Sequence, residues 1–285
     1  MSAQVNPWIA SARMYSVSAA AADSWRKLLS HLARRARLPI EVIDYPAPAP
    51  IKDLWAHPRK AAVFICGLPF SRTEPPPYLI AAPVPSPADF RGQPLYWSEF
   101  VVRADSSHRK LGDTFGGSIA FTSTDSQSGF AAPLHHLQQA DGGGPLYRSV
   151  IEPQVTPQGA LASVAEGRAD VAAIDAYSLH LLRRYAPELV ARVRAVARTE
   201  ARPIPPLIAS EPLEGLARAF LDAHEDAALH PAMADLRLSR FVRPDAAVYA
   251  PLVEEFEATL NYWRSHALAL EIDPAFRELT LKAAG

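Results

Sequence analysis

The stretch GGSIAFTSTDSQSGFAAPLHHL, residues 116–137, decides the fold. Ile119, Ala120 and Phe121 form a short apolar run of strand character. A hydroxyl-rich seam, 122–128, follows it. Phe130, Ala131, Leu134 and Leu137 then recur at helical spacing. A strand that runs through a short seam into a helix is the repeating unit of an α/β domain. The seam has two readings. Ser126 or Ser128 can cap the helix by accepting a hydrogen bond from its first free amides. The same amides, with the hydroxyls around them, can instead hold an anion.

The pattern extends in both directions. Toward the N-terminus, ARMYSVS (12–18) reads as a strand ending in Tyr15, and AAADSWRKLLSHLARRAR places Trp25, Leu28, Leu29 and Leu32 on one helical face. IEVIDYP is a second strand, IKDLWAHP a short helix, and AAVFICGLP a third strand ending at Cys66-Gly67. YLIAAPV and YWSEFVVRAD read as extended. Beyond the seam come a helix over 128–140, the loop DGGGP, a helix around TPQGALASVAEGR, the strand VAAID and a proline-bracketed strand PLIAS. GLARAFLDAHEDAAL and VYAPLVEEFEATLNYWRSHALAL are helical. This alternation predicts two Rossmann-like α/β lobes joined by two extended crossings, near 101–104 and 202–207, with a helical C-terminal tail. The boundaries expected are 8–102 plus 206–285 for lobe I and 103–205 for lobe II. Ligands of open α/β sheets sit at the carboxyl ends of strands. Met14-Tyr15, Cys66-Gly67, 123–128 and Ile174-Asp175 are such ends, and they are expected to face one crevice.

Composition excludes several classes. With 49% hydrophobic and 21% charged residues over 285 positions, the chain can bury a core, and its formal net charge of -1 gives no general attraction for nucleic acid. Arg34, Arg35 and Arg37 read as a solvated helix face. Cys66 is the only cysteine, so no intrachain disulfide can form, and its place in VFICG reads as a small buried hydrophobe. MSAQVNPWIASARMYSV lacks a cationic start followed by an apolar core, and no apolar run is long enough to span a bilayer. The chain as given is therefore expected to stay in the cytoplasm, without membrane insertion. His135 and His136 are adjacent on one helix without partners at metal-ligand spacing, and there is no P-loop, HExxH, GxSxG or dinucleotide fingerprint. No metal and no cofactor are expected.

Three stretches in register resemble one family. Tyr96-Trp97-Ser98-Glu99-Phe100-Val101-Val102-Arg103 is similar to the crossing strand of phosphate/phosphonate-type solute-binding proteins of ABC importers. Asp125-Ser126-Gln127-Ser128-Gly129 resembles their S-x-S-G anion loop. AEGRADVAAIDA, 165–176, resembles their segment ending in a hydrophobic run and aspartate. The likeness spans roughly 12–210 and implies the type II periplasmic-binding, transferrin-like fold, closing on a small anionic or polar solute in an interlobe cleft, with an ABC permease as partner. It implies that Tyr96 and Ser98 line the hinge side, that Ser126, Gln127, Ser128 and Gly129 offer hydroxyls and amides to the anion, and that Asp175 accepts from ligand hydroxyl, amino or protonated phosphonate groups. Tyr15, Cys66 and Gly67 match the strand ends of the first lobe. The chain departs from the pattern in having Thr156-Pro157-Gln158 where phosphonate binders usually place a histidine, and in a longer helical tail.

The leading expectation is thus a non-catalytic binder of phosphate, phosphonate or carboxylate. The rival is a cytoplasmic enzyme or sensor on the same fold, with a lyase or dehydratase-type activity on a small organic acid and Asp175 as base. An interaction module built on the C-terminal helices ranks last.

Overall fold

The computed structural model describes residues 7–140, 145–151, 153–266 and 269–271. The expected glycine loop at 141–144, the first six residues and the end of the tail, 272–285, lie outside the described residues. The chain divides into two compact units, one of Met1–Leu95 with Pro203–Tyr249, the other of Tyr96–Arg202 with Ala250–Gly285. Among the described residues no helix is long and apolar enough to cross a membrane.

The first unit is built on a six-stranded sheet in the order Leu238–Val242, Tyr78–Pro85, Leu207–Ala209, Lys60–Phe64, Trp8–Ser11, Ile40–Val42. Trp8–Ser11 runs parallel to both neighbours, with Ala10 opposite Val42 on one side and Ala62 on the other. All four of its residues are buried, so it lacks the alternation of a half-exposed strand. The expected strand at 12–18 is a 3-10 turn at Arg13–Tyr15, because pairing stops at Ser11 and the Tyr15 amide turns back to donate to the Ala12 carbonyl at 2.9 Å.

Parallel neighbours need a crossover, and the helix Ala19–Arg35 supplies it. Ser18 caps it, its hydroxyl accepting from the Ala21 amide at 3.1 Å. Trp25, Leu28, Leu29 and Leu32 bury its apolar face, each such burial contributing about 1.5–3 kcal/mol. Trp25 and Tyr15 both meet the Phe64 ring edge-on, at 5.2 and 5.0 Å between centroids. Arg35, from the basic run, reaches Asp222 at 3.6 Å and Asp226 at 3.5 Å.

The second unit repeats the plan with the order Val193–Arg198, Ser98–Arg103, Val171–Asp175, Ser118–Ala120, Tyr147–Ile151, Ala269–Glu271. Ser98–Arg103 is antiparallel to Val171–Asp175, which places Ser98 opposite Asp175. Val171–Asp175 is parallel to Ser118–Ala120, and that strand to Tyr147–Ile151. Ser98–Arg103 is therefore an interior strand of the second sheet, not a crossing, and the division falls at 95/96 and 202/203.

The C-terminal helix Pro251–Ser265 also corrects the expected boundaries. The expected boundaries include it in the first lobe, but it packs in the second unit. Leu252, Phe256, Leu260 and Trp263 form its buried stripe. Phe256 meets Phe130 at 6.1 Å, the Trp263 Nε1 donates to the Leu134 carbonyl at 3.1 Å, and Arg202 pairs with Glu255 at 2.6 Å. Ala269–Glu271 then adds a parallel edge strand beside Tyr147–Ile151. The tail covers the helix of the serine seam and completes the second sheet.

Trp263 is the anchor of that arrangement, 2% exposed with its indole hydrogen-bonded. Trp263→Ala should destabilise the protein by about 3–5 kcal/mol, read as a lower midpoint in urea unfolding.

Candidate functional site

The seam at 122–128 is held by a proline six residues further on. Pro133 lies in the first turn of the helix Ala132–Gln138 and has no N–H. In a regular helix its amide would serve the carbonyl of Gly129, and in a wider turn that of Ser128. The structure supplies both from elsewhere. The Thr122 amide donates to the Gly129 carbonyl at 3.3 Å, and the Ser98 hydroxyl donates to the Ser128 carbonyl at 2.5 Å. The chain enters the helix through a π turn at Gln127–Ala131, where the Ala131 amide reaches the Ser126 carbonyl at 3.0 Å. The helix expected over 128–140 thus opens one residue earlier, with a wide first turn.

Ser126 is the cap, its hydroxyl accepting from the Gly129 amide at 2.9 Å. That bond uses one first-turn donor. Helical geometry leaves the amides of Gln127 and Ser128 without an intrahelical acceptor. Gly129 is required by sterics: a Cβ there would fall 1.9 Å from the Thr122 Oγ1. Gln127 is 1% exposed, and its Oε1 and the Thr122 Oγ1 are both buried without a hydrogen-bond partner. Buried polar oxygens of this kind are rare in folded proteins.

Ser98 and Asp175 complete the group. The Ser98 amide donates to the Thr199 Oγ1 at 3.0 Å while the Thr199 amide donates to the Ser98 carbonyl at 2.9 Å, so the residue beneath the seam is fixed on three sides. Asp175 closes its strand and caps the helix Ala176–Tyr185, its Oδ1 accepting from the Ser178 amide at 2.6 Å. Burial pushes the Asp175 carboxyl up to about 6, against the opposing pull of the Ser178 and Tyr177 amides and the Ser178 and Ser128 hydroxyls. The second unit therefore holds side by side two helix starts, a buried carboxyl and the Ser128 hydroxyl that acts on it.

The remaining expected residues divide by position. Tyr96 belongs to the second unit and is 1% exposed, while Trp97 beside it is also buried, with the Arg198 guanidinium 5.6 Å from its ring centroid. Tyr15, Cys66 and Gly67 belong to the first unit. Tyr15 is buried against Phe64, two residues before Cys66. Cys66 is buried, and its carbonyl accepts from the Phe70 amide at 3.0 Å. The Gly67 carbonyl accepts from the Ser71 hydroxyl at 2.8 Å as the helix Gly67–Arg72 begins. His135 reaches the Thr259 Oγ1 at 3.1 Å and His136 lies against Phe100, 5.3 Å between ring centroids. Thr156 caps the helix Pro157–Ala165 by accepting from the Gly159 amide at 3.0 Å. Sequence reasoning missed Thr122 and Thr199. Thr199 supports the seam through long-range bonds to Ser98, and Thr122 from within it through its backbone amide, and a threonine in an extended segment carries no local signal for either role.

Two outcomes follow. Ser98→Ala leaves the buried Ser128 carbonyl without its donor and should lower unfolding stability by about 1–3 kcal/mol. The raised carboxyl of Asp175 stays protonated in the native state while the unfolded chain ionises, so stability is full below about pH 3.9 and is lost as pH rises toward 6. Asp175→Asn should therefore stabilise the protein near neutral pH by up to about 3 kcal/mol, with the gain vanishing at the acid end of a pH series of denaturation curves.

Comparison with known proteins adds an independent observation. The sequence profile of the family described as ABC transporter, phosphonate, periplasmic substrate-binding protein matches residues 16–249. No curated protein sequence matches the chain. Among solved structures, a binding protein component of an ABC phosphonate transporter from Pseudomonas aeruginosa superposes with a TM-score of 0.71 at 16% identity, covering 98% of this chain and 94% of that one. PhnD1 from Prochlorococcus marinus, in complex with methylphosphonate, superposes with a TM-score of 0.72 at 16% identity, covering 90% and 100%. The arginine-, lysine-, histidine-binding protein ArtJ from Geobacillus stearothermophilus follows at 0.54 and 11% identity, covering 81% and 94%. These likenesses establish the type II periplasmic-binding fold.

Proposed function

The chain belongs to the family of periplasmic substrate-binding proteins of phosphonate ABC transporters, and from that premise we propose that it captures a small phosphonate or phosphate at the serine seam of its second unit. The family is one of substrate-binding transport proteins, not of enzymes. The observation that carries the ligand assignment is the anchored π turn, whose Ser128 and Gly129 carbonyls are held by Ser98 and Thr122 while its first amides, at Gln127 and Ser128, are left without an intrahelical acceptor. A helix start carries roughly half a unit of positive charge. A phosphonate oxygen accepts from several amides at once without a cationic side chain. Methylphosphonate, the ligand of PhnD1, is the reference compound.

Asp175 gives the site its selectivity in this proposal. A phosphate-type group keeps a second proton to a pH of about 6, close to the carboxyl of Asp175. The two acids can share one proton across a hydrogen bond. A carboxylate ligand has no such proton near neutrality and would meet the aspartate as a like charge. Gln127 and Thr122, with their unpartnered oxygens, are the acceptors that a protonated or amino-bearing ligand group would use. Tyr96, Tyr15 and Cys66-Gly67 are proposed as further contacts on the strength of the family pattern. We propose that the loaded protein delivers to an ABC permease, and that it works in the periplasm, the compartment of its family, in preference to the cytoplasm.

Ser126→Ala combined with Ser128→Ala tests the assignment. Calorimetric titration with methylphosphonate should show binding weakened at least about tenfold, while loss of the cap alone should cost about 1 kcal/mol of stability. Unchanged binding with reduced stability would leave the serines only their capping role.

A further inference from the structure

We propose that the first unit carries a second small-molecule site, unrelated to the serine seam, that takes a small carboxylate with an apolar body and pairs it with Lys60. The site is a cavity of about 240 Å³ whose walls include Trp55, Ile65, Pro76, Tyr78 and Ile208. All of these residues lie within the first unit.

Lys60 is only 9% exposed, at the start of the strand Lys60–Phe64. Its ammonium has three donors. One is directed at the His57 carbonyl, at 3.3 Å, and among the described residues no carboxylate pairs with it. Two donors of a buried cation are thus left over, and desolvation draws the ammonium below the usual lysine range. An isolated buried charge is costly, and an anion delivered from solution would offset that cost through charge-assisted hydrogen bonds.

The Trp55, Thr73 and Ser210 side chains of the cavity are engaged within the protein. The Trp55 Nε1 donates to the Phe64 carbonyl at 2.9 Å, the Thr73 hydroxyl to the Pro69 carbonyl at 2.8 Å, and the Ser210 hydroxyl to the Lys60 carbonyl at 3.2 Å. What remains is one cationic head, with the Tyr78 hydroxyl, in an aromatic and proline-walled space. Its volume equals that of about eight water molecules in the liquid. A cavity that is mostly apolar with one oriented polar group is the usual form of a small-ligand site. A phosphonate suits it poorly, because a second negative charge would meet no cation beyond Lys60 in the lining. An apolar monocarboxylate matches both its charge and its walls.

Benzoate is the probe. Titration of the intact protein, followed by calorimetry and tryptophan fluorescence, should show saturable binding that Lys60→Met weakens at least tenfold. The neutral benzamide should bind at least tenfold more weakly than benzoate. The double variant Ser126→Ala/Ser128→Ala should bind benzoate like the wild type, which separates this site from the seam. Lys60→Met removes a buried charge and should unfold no earlier than the wild type. On the wild-type protein, NMR cross-peaks between benzoate ring protons and the Trp55 indole should place the ligand. Absence of saturable binding, equal binding by Lys60→Met, loss of binding in the serine double variant, or no contact with Trp55 would each overturn the proposal.

Discussion

The carbonyls that Pro133 cannot serve organise the second unit. A proline in the first turn removes the donor for the Gly129 or Ser128 carbonyl, and neither can remain buried and unmet without a penalty of about 1–3 kcal/mol each. The chain meets one through the Ser98 hydroxyl of the sheet and the other through the Thr122 amide at the start of the seam. Thr199 in turn fixes Ser98, which pairs in register with Asp175. The Ser128 and Gly129 carbonyls of the turn are therefore held by a sheet strand and by the seam's own first residue. Pre-organisation of this kind lowers the ordering cost of capturing a ligand, which the proposed anion site, made of backbone donors, would need.

Capping and the proposed anion binding, posed as alternatives by the serines, would use different atoms. The Ser126 hydroxyl takes the Gly129 amide and holds the turn open at its π width. The amides of Gln127 and Ser128 are separate donors on the same turn. Asp175 has the same double character, because one oxygen caps the helix Ala176–Tyr185 while the carboxyl as a whole stays near the threshold of ionisation. A carboxylate at a helix start is normally favoured. Here burial outweighs that preference, and the Ser128 hydroxyl is among the groups that moderate the shift. The seam and the acid are electrostatically joined, so an anion brought to one is felt by the other.

What could be read in the chain was whatever has a local cause. The helix that Ser18 caps and the serine start of the helix near 127 depend on side-chain period and on hydroxyl groups within four residues, and the strand Val171–Asp175 is a short apolar run ended by its own capping carboxyl. The family likeness rested on the same segments. The errors have the opposite character. Trp8–Ser11 is buried on both faces and shows no period, so the polar-flanked segment after it looked more like a strand. The amphipathic stripe of Pro251–Ser265 shows that one face is covered, yet a stripe does not name its partner. Phe130, Leu134 and His135, more than a hundred residues earlier in the chain, together with Arg202, supply that answer.

Ser98–Arg103 shows why the boundary was displaced. An extended, apolar run between two helical regions fits a crossing and an interior strand equally well, because both demand β geometry and burial. The difference lies in its neighbours, Val193–Arg198 and Val171–Asp175, which pair with it along nearly its whole length. Placing this strand inside the sheet has a chemical consequence. A crossing residue would be free to follow the ligand, whereas Ser98 in a ladder can only hold its hydroxyl still beneath the Ser128 carbonyl. In the proposed function its contribution would be one of position, exercised through the backbone it restrains.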